Sequence, residues 1–327
     1  IAILVFFTVG FFVHVWACTG LIAGKQATVD GSVLVTYSAD SHTLYGALTS
    51  SPAADWPKGS MRSIVEWDTN KPLGEIEQVE HTYAVIGNMN EHQLTVVEST
   101  WGGRPELVDT TGIIDYGSLM QLALERAKTA REAIKVMTGL VKKYGYYSSG
   151  ESFTIADPNE AWILDLIGKG PGRRGAVWVA VRIPDDCIAG HANYPRIHKI
   201  PMDDKENCLY SPDVISFARE MGYFDGLNKD FSFARAYSPA DFGALRACDA
   251  RVWSFFRKYD STMDNYLPYV NGESAEPFPL YVKPSRKLSV QDMKEAMRDH
   301  FEDTPFDMTQ DVGACLLYTS DAADDRI

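Results

Sequence analysis

The residue best suited to chemistry is Cys18, which stands in the stretch "VWACTG" directly after an apolar run over residues 1–16. If the chain is cut before Cys18, its thiol and its own α-amine lie a few ångströms apart. An α-amine has a pKa of about 7.7–8.0, so part of it is unprotonated at neutral pH and can accept the thiol proton. One residue would then supply both the nucleophile and its base.

A cysteine in this position has two other interpretations, a lipid anchor and an inert core residue. Trp16 makes the stretch a poor lipid-attachment site, because small residues are usual there. The remaining cysteines form no CxxC pair, so a zinc or redox motif is not indicated, and their sparse number does not suggest a disulfide framework. Three of them are predicted to be small buried hydrophobic residues, namely Cys187, Cys208 and Cys248.

The segment before Cys18 predicts export. Residues 1–17 contain no Asp, Glu, Lys or Arg and end in Val15-Trp16-Ala17, a small-residue pattern of the kind that signal peptidase accepts. The apolar run is slightly short of the about 20 residues that span a bilayer. We expect a signal sequence whose beginning is missing and an exported, periplasmic or extracellular protein. A retained membrane anchor is the alternative.

The far end of the chain predicts a boundary. Residues 315–327, "CLLYTSDAADDRI", have no amphipathic period and follow an abrupt break. We expect them to be a foreign, adapter-derived tail. The expected organisation is therefore a signal segment over 1–17, one domain over 18–314 that continues in the natural protein, and the tail over 315–327.

Composition excludes several classes of protein. The chain has 327 residues, 45% of them hydrophobic, which is enough for a large core. Its net charge of −13 and the lack of a basic stripe argue against a nucleic-acid partner. No GxGxxG, Walker A or HExxH motif is present. No metal and no cofactor is expected, since metal-ligand spacing is absent among His42, His81, His92 and His191.

The elements that must position Cys18 begin with a hairpin. Two β-rich runs, Thr19–Ala23 and 32–37, flank the turn signal Asp30-Gly31. Residues 115–144 carry apolar residues at helical spacing and predict two helices, the second capped by Thr129. Strands follow, and then further helices. Blocks of strands and helices in this order favour an α+β layered domain over alternating βαβ units.

Three stretches together resemble a known family: "CTGLIAGKQATVDGSVLVTYSADSH", "VIGNMNEHQLTVVESTWGG" and "CIAGHANYPRI". They are similar to the N-terminal-nucleophile hydrolases of peptidase family C69, secreted dipeptidases related to bile salt hydrolases and penicillin V acylases. The likeness covers most of residues 18–251. It implies a four-layer αββα sandwich, Cys18 as nucleophile, and hydrolysis of the amide bond of dipeptides or short peptides through a thioester. The alternatives are an acylase for non-peptide amides and a non-catalytic lipoprotein anchored at Cys18.

The resemblance also implies catalytic roles for four further residues. The Asp40 carboxylate, at the close of the hairpin, would orient the amine as the third group of a triad does. The Asn90 amide, in a turn between strands, would donate to the oxyanion, and Asn193 would bind or polarise the scissile carbonyl. Arg251 would lie near the nucleophile, with Arg246 nearly as plausible. Each residue type is also common in ordinary turns or on helix surfaces.

Three residues are predicted to contact the substrate: Tyr37, Glu98 and Trp101. Glu98 and Trp101 follow the Asn90 turn and would meet a substrate amine or side chain. Tyr37 stands where relatives often carry an Arg, and a phenol cannot supply that positive charge at neutral pH. The protein must then use another cation or rely more on its own amine. The dipeptide preference and a homo-oligomeric state stay open.

Overall fold

The computed structural model describes residues 18–40 and 46–308. The predicted signal segment and foreign tail, together with Ser41 and His42, lie outside the described residues. Among the residues described, no helix is both long and apolar enough to cross a membrane.

The strands are short near the amino terminus and longer in the middle of the chain. In chain order they are β1 Thr19–Ala23, β2 Leu34–Ser38, β3 Ser50–Ser51, β4 Ala54–Asp55, β5 Met61–Val65, β6 Pro72–Glu77, β7 His81–Thr82, β8 Val85–Ile86, β9 Met89–Asn90, β10 Thr95–Gly102, β11 Gly150–Ala156, β12 Ala161–Gly168, β13 Ala176–Ile183, β14 Ile188–His191, β15 Cys208–Tyr210 and β16 Tyr281–Val282.

The helices follow in two groups. They are α1 Tyr116–Arg126, α2 Ala130–Tyr144, α3 Val214–Glu220, α4 Phe233–Tyr237, α5 Ala250–Arg257, α6 Leu267–Val270 and α7 Val290–Ala296. A π-helical turn, Ala244–Asp249, runs directly into α5. Short 3₁₀ turns lie at Pro105–Leu107, Asn228–Asp230 and Ser261–Tyr266.

Two antiparallel sheets carry the fold. The smaller has the strand order β16-β14-β1-β2, and the larger has the order β15-β13-β12-β11-β10-β9-β8-β3. Strand β1 pairs with β2 through Thr19 opposite Ser38 and Gly20 opposite Tyr37, which confirms the predicted hairpin. On its other side β1 pairs with β14 through Gly20 opposite His191. Cys18 therefore lies at the end of a central strand of the small sheet.

Three apolar clusters define the layers. Helices α1 and α2 pack on the outer face of the large sheet, where Leu119 and Ile134 belong to one cluster with Phe153 and Leu164. The inner faces of the two sheets meet in a second cluster that includes Ile22 and Ile163 from β1 and β12. Helices α5 and α7 cover the outer face of the small sheet through the third cluster. The order is helix, sheet, sheet, helix, and the predicted α+β sandwich is confirmed.

The predicted Thr129 cap of α2 is confirmed. Thr129 caps α2, because its hydroxyl accepts a hydrogen bond from the Glu132 backbone N–H at 3.3 Å. The Glu132 carboxylate, however, accepts from the Lys128 N–H at 2.8 Å instead of closing a capping box on Thr129. Helix α1 is capped by the Asp115 carboxylate, which accepts from the backbone of Ser118.

Residues 81–88 do not form one continuous strand. Between β7 and β8 two backbone N–H groups form hydrogen bonds outside the strand ladder. The Tyr83 N–H donates to the Glu125 carbonyl, and the Ala84 N–H donates to the Glu91 carboxylate. The helix that carries Arg251 begins with the π-helical turn Ala244–Asp249. That wider turn ends two residues before Arg251.

Candidate active site

A cavity of about 460 Å³ opens beside Cys18, between β2, β10 and the first turns of α1. This volume lies in the range of small-ligand sites. Of the residues predicted from the sequence, Cys18, Tyr37, Asp40 and Glu98 line it. Other lining residues were not predicted, among them Trp67, Asn88, Tyr116 and Gln121.

The backbone of Cys18 is held at both its nitrogen and its carbonyl oxygen. The Cys18 nitrogen donates to Oδ1 of Asn193 at 2.7 Å. Nη1 of Arg251 donates to the Cys18 carbonyl at 2.8 Å and to the Thr19 hydroxyl, also at 2.8 Å. Residues far apart in the sequence therefore fix the position of the candidate nucleophile.

Asn193 links Cys18 to the large sheet. It lies just beyond β14 with a φ of 54°, a left-handed conformation that Asn tolerates better than most residues. Its Nδ2 donates to the Thr100 carbonyl at 2.5 Å, and its Oδ1 also accepts from Arg251 at 2.8 Å. Because protein groups occupy both ends of the amide, the geometry gives Asn193 a positioning role for Cys18. Its Nδ2 has a second hydrogen that is not used in these bonds, so the expected contact of Asn193 with the scissile carbonyl stays a prediction.

The close packing of β1 and β14 explains the glycine in "CTG". A Cβ at Gly20 would lie 2.9 Å from the imidazole of His191. That imidazole is fully buried between the Ser99 hydroxyl at 2.7 Å and the Thr154 hydroxyl at 2.8 Å. Burial lowers the pKa of His191 to about 3, so the ring is neutral and serves as an uncharged link between the two sheets.

The Cys18 thiol is protonated at neutral pH in this setting. The residue is only 2% exposed, and burial raises the pKa of the thiol far above its usual range. The charges of Glu98 and Glu151 raise the pKa further, whereas Arg251 and a hydrogen bond from the Asp40 backbone N–H lower it. A thiol of this kind needs a base to remove its proton as it attacks.

Two buried carboxyl groups lie next to the thiol. The Tyr37 hydroxyl donates to Oε1 of Glu98 at 2.5 Å, and the Thr100 hydroxyl donates to Oε1 of Glu151 at 2.7 Å. Their Oε2 oxygens accept no hydrogen bond from an N–H or hydroxyl group. The two carboxyls hydrogen-bond to each other, which requires that one of them is protonated. Burial raises the pKa of both groups, and the charge of Glu98 raises that of Glu151 further.

A smaller cavity of about 260 Å³ adjoins the first at Tyr116, which lines both. Glu151 and Asp68 line this second cavity, and the Tyr116 hydroxyl donates to Oδ1 of Asp68 at 2.9 Å. Burial raises the pKa of Asp68 as well. The region beside Cys18 is therefore acidic. Within the described ranges, no group of three or more His, Cys, Asp and Glu side chains is arranged to hold a metal ion.

The structure does not bring Asn90 to the cavity. Its Nδ2 donates to the carbonyls of Leu124 and Ala127 at 2.8 and 2.7 Å, and its Oδ1 accepts from the N–H groups of His92 and Leu94. The amide therefore closes its own turn and ties it to the end of α1. The oxyanion role expected for Asn90 does not fit this geometry, because no donor is left for a substrate.

Two other candidates also lie away from the cavity. Trp101 is buried in the cluster between the sheets and packs edge-on against Phe233, with ring centres 6.3 Å apart, so it does not line the substrate cavity. The Arg246 guanidinium stacks on the Phe306 ring at 3.6 Å. Of the two candidate arginines, Arg251 is the one that contacts Cys18.

One residue near the site, Glu151, was not predicted, although the sequence contains an indication of it. Glu151 stands in β11, "GESFTIA", where every residue is buried. A carboxyl inside a strand that is covered on both faces needs an explanation by pairing or by function. Its neighbour across the ladder, Thr100, shares its face of the sheet, but only the register of β10 and β11 shows this.

Comparison with known proteins shows that the class of the protein is that of the peptidases. More narrowly, the chain belongs to peptidase family C69, whose family model matches residues 17–317. The resemblance seen in the sequence is thereby confirmed.

Curated relatives carry matching names. A "Probable dipeptidase" of Salmonella dublin is 28% identical over 318 residues, covering 89% of this chain and 68% of that protein. A "Probable dipeptidase" of Latilactobacillus sakei is 25% identical, covering 89% of this chain and 62% of that protein. A "Dipeptidase" of Bifidobacterium longum is 24% identical, with 89% and 60% covered. The chain thus spans roughly two thirds of the length of these relatives.

Proposed function

We propose that the protein is a cysteine dipeptidase that uses Cys18 as an amino-terminal nucleophile. The observation that carries the proposal is the fixed position of Cys18, whose nitrogen and carbonyl are held by Asn193 and Arg251 at the wall of a ligand-sized cavity. The dipeptidase names of the curated relatives support peptides as the substrate.

The base in this proposal is the α-amine that Cys18 gains once Ala17 is removed. Such an amine is partly unprotonated at neutral pH, and the buried thiol keeps its proton until that base takes it. Asn193 would accept one hydrogen of the amine through Oδ1, which leaves the nitrogen lone pair to face the sulfur. The thiol therefore needs a base, and the Cys18 α-nitrogen would lie where that base is needed.

The reaction would run in two steps. The sulfur forms a bond to the peptide carbonyl carbon, the amine takes the thiol proton, and the C–N bond breaks as that proton passes to the leaving amino acid. Water then attacks the thioester and releases the second product with a free Cys18 thiol. The Asp40 backbone N–H, which faces the sulfur, and the Arg251 charge would stabilise the negative charge that develops there.

Export of the protein is part of the same proposal. The apolar segment before Cys18 and its Val15-Trp16-Ala17 ending support removal by signal peptidase, which would expose the Cys18 amine. A lipid-anchored Cys18 would exclude the chemistry, because an acylated nitrogen is no longer a base. The intact mass of the mature protein separates these two fates.

The proposal is tested by assaying the protein against a panel of dipeptides and searching for the acyl-enzyme by mass spectrometry under acid quench. The expected result is hydrolysis together with a mass increase of one acyl residue on the peptide that contains Cys18. Hydrolysis that persists after iodoacetamide has fully alkylated Cys18 would contradict the proposal.

A further inference from the structure

Trp67 is a large aromatic residue that lines the cavity beside Cys18 and is still 44% exposed. It stands in the turn between β5 and β6, two residues after the end of β5. Single apolar side chains on a protein surface are common and need no explanation. One that forms the wall of a ligand-sized cavity is different, because ligand sites are lined mainly by apolar and aromatic side chains.

The turn that carries Trp67 is fastened to the start of α1. The Trp67 backbone N–H donates to Oδ2 of Asp115, the residue that caps α1, at 2.7 Å. The Ser118 hydroxyl donates to the Val65 carbonyl at 3.1 Å. The backbone around Trp67 is therefore held in place without a ligand, so a ligand that contacts the indole does not have to order this turn.

A glycine in α1 makes room for the indole. A Cβ at Gly117 would lie 2.5 Å from Cγ and 2.6 Å from Cβ of Trp67, which is closer than two such carbon atoms approach. Glycine is also among the least favourable residues in a helix. Its presence at this position is explained by the close contact with Trp67, which lies against the first turn of α1.

The same face of α1 continues as an apolar wall. Met120 and Leu124 follow Gly117 by three and seven residues, so they lie on one face of the helix, and all three line the cavity. We call Trp67, Met120 and Leu124 the apolar strip. An apolar side chain gains from leaving water against this strip, whereas a charged one would lose hydration there without gaining a partner.

We propose that Trp67 is a specificity-determining residue, which binds an apolar side chain of the substrate together with the rest of the apolar strip. This inference rests on the proposed function and specifies its substrate class as dipeptides of large apolar residues. Acidic side chains are disfavoured for a second reason. None of the described residues that line the cavity is Lys, Arg or His, so an acidic side chain finds no counter-charge.

The direct test compares kcat/KM for L-leucyl-L-leucine with kcat/KM for L-alanyl-L-alanine. The wild-type protein is expected to favour the leucine peptide by roughly 10- to 100-fold, the range for a few methylene groups in an apolar pocket. Trp67→Ala should lower this ratio by roughly 10-fold, mainly through a higher KM for the leucine peptide, and Trp67→Phe should keep most of it. Gly117→Ala should also lower the ratio, because its methyl group displaces the indole.

The matched control is Trp56→Ala. Trp56 is 40% exposed, its Nε1 donates to the Thr82 hydroxyl at 3.1 Å, and it is not among the described residues that line the cavity. The wild-type ratio is expected to survive in this variant. A wild-type ratio near one, or an unchanged ratio in folded Trp67→Ala, would overturn the proposal. Hydrolysis that is still abolished by alkylation of Cys18 would then leave the cysteine mechanism standing.

A second measurement needs no turnover. Binding of L-leucyl-L-leucine to the Cys18→Ala protein is measured by calorimetry, with and without the additional Trp67→Ala substitution. The second substitution is expected to raise Kd by roughly 10-fold. Equal affinity in the two proteins, or no binding to Cys18→Ala, would overturn the proposal even if no peptide were hydrolysed.

Discussion

Two pairs of buried ionisable side chains among the described residues differ in how their oxygens are used. In the first, Arg196 and Asp249 form an ion pair with both side chains 0% exposed. Both oxygens of Asp249 accept hydrogen bonds from Arg196, and Oδ2 accepts another from Tyr269 at 2.8 Å. Nη2 of Arg196 donates to the Pro279 carbonyl, and its guanidinium stacks on Phe278.

In the second, Glu98 and Glu151 are buried as deeply but have no cation among the described residues of the cavity wall. Each accepts a hydrogen bond from one hydroxyl on Oε1, and the two carboxyls hydrogen-bond to each other, which requires that they share a proton. The cost of burial is therefore offset by an opposite charge in the first group and by a shared proton in the second, and burial still raises the pKa of Asp249 and of Glu98.

The largest expected effect separates the site from the rest of the fold. Cys18→Ala should lower kcat/KM for dipeptides by roughly 10⁴-fold or more, because the nucleophile is lost. The melting temperature should change little, since Ala fills most of the same small buried space. Steady-state kinetics and thermal melts of the two proteins check this. Substantial activity in a correctly folded Cys18→Ala protein would remove Cys18 from the mechanism.

The next largest effect is expected on stability, at the buried ion pair of Arg196 and Asp249. Asp249→Asn should lower the free energy of unfolding by about 3–5 kcal/mol, because Arg196 is left buried without its counter-charge. Urea unfolding measures this. Asp264→Asn is the matched control, since its pair with Arg257 lies at the surface and should cost at most about 1 kcal/mol. Equal losses in the two variants would show that burial does not distinguish these pairs.

Two asparagines allow a residue that positions Cys18, Asn193, to be compared with one that holds the fold, Asn90. Asn193→Ala should lower kcat by roughly 10- to 100-fold, because the Cys18 nitrogen loses its acceptor. Asn90→Ala should instead lower the free energy of unfolding by about 2 kcal/mol, because it leaves buried carbonyls of α1 unpaired. Kinetics and urea unfolding of both variants decide the matter. A lower kcat in fully folded Asn90→Ala would restore Asn90 as an oxyanion donor.

The smallest expected effect is a change in the free energy of unfolding, opposite in sign to that of Asp249→Asn. Glu98→Gln should stabilise the protein by about 1 kcal/mol near pH 8, because the raised pKa of Glu98 means that its ionised form disfavours folding. The gain should vanish as the pH falls through the raised pKa, since the wild-type carboxyl then becomes neutral too. Thermal melts across pH test this. A destabilised variant at pH 8 would mean that the ionised Glu98 carboxylate stabilises the folded protein, contrary to this prediction.

Local sequence patterns were sufficient for the hairpin and the helix pair, whereas the order of the layers was implied by the family resemblance. The Asp30-Gly31 turn and the Thr129 cap act over a few residues, so they can be recognised without the fold. The family resemblance then indicated Cys18, Asn193 and Arg251, and the structure brings these three into direct contact.

What the sequence could not supply depends on register and on side-chain direction. Glu151 lies next to Glu98 only because β10 and β11 pair with Thr100 opposite Glu151. Asn90 has the residue type and turn position of an oxyanion donor, but its side chain points back into its own turn. Trp101 follows the site along the chain, yet it faces the core between the sheets. Proximity in sequence was misleading at both places.

The most direct test asks whether hydrolysis needs a bare nitrogen on Cys18. Two preparations of the protein are compared against L-alanyl-L-alanine, one whose first residue is Cys18 and one that keeps Ala17 attached, with each amino terminus verified by intact mass. The account predicts rapid hydrolysis by the first and loss of activity in the second. Equal activity in the two preparations would contradict it.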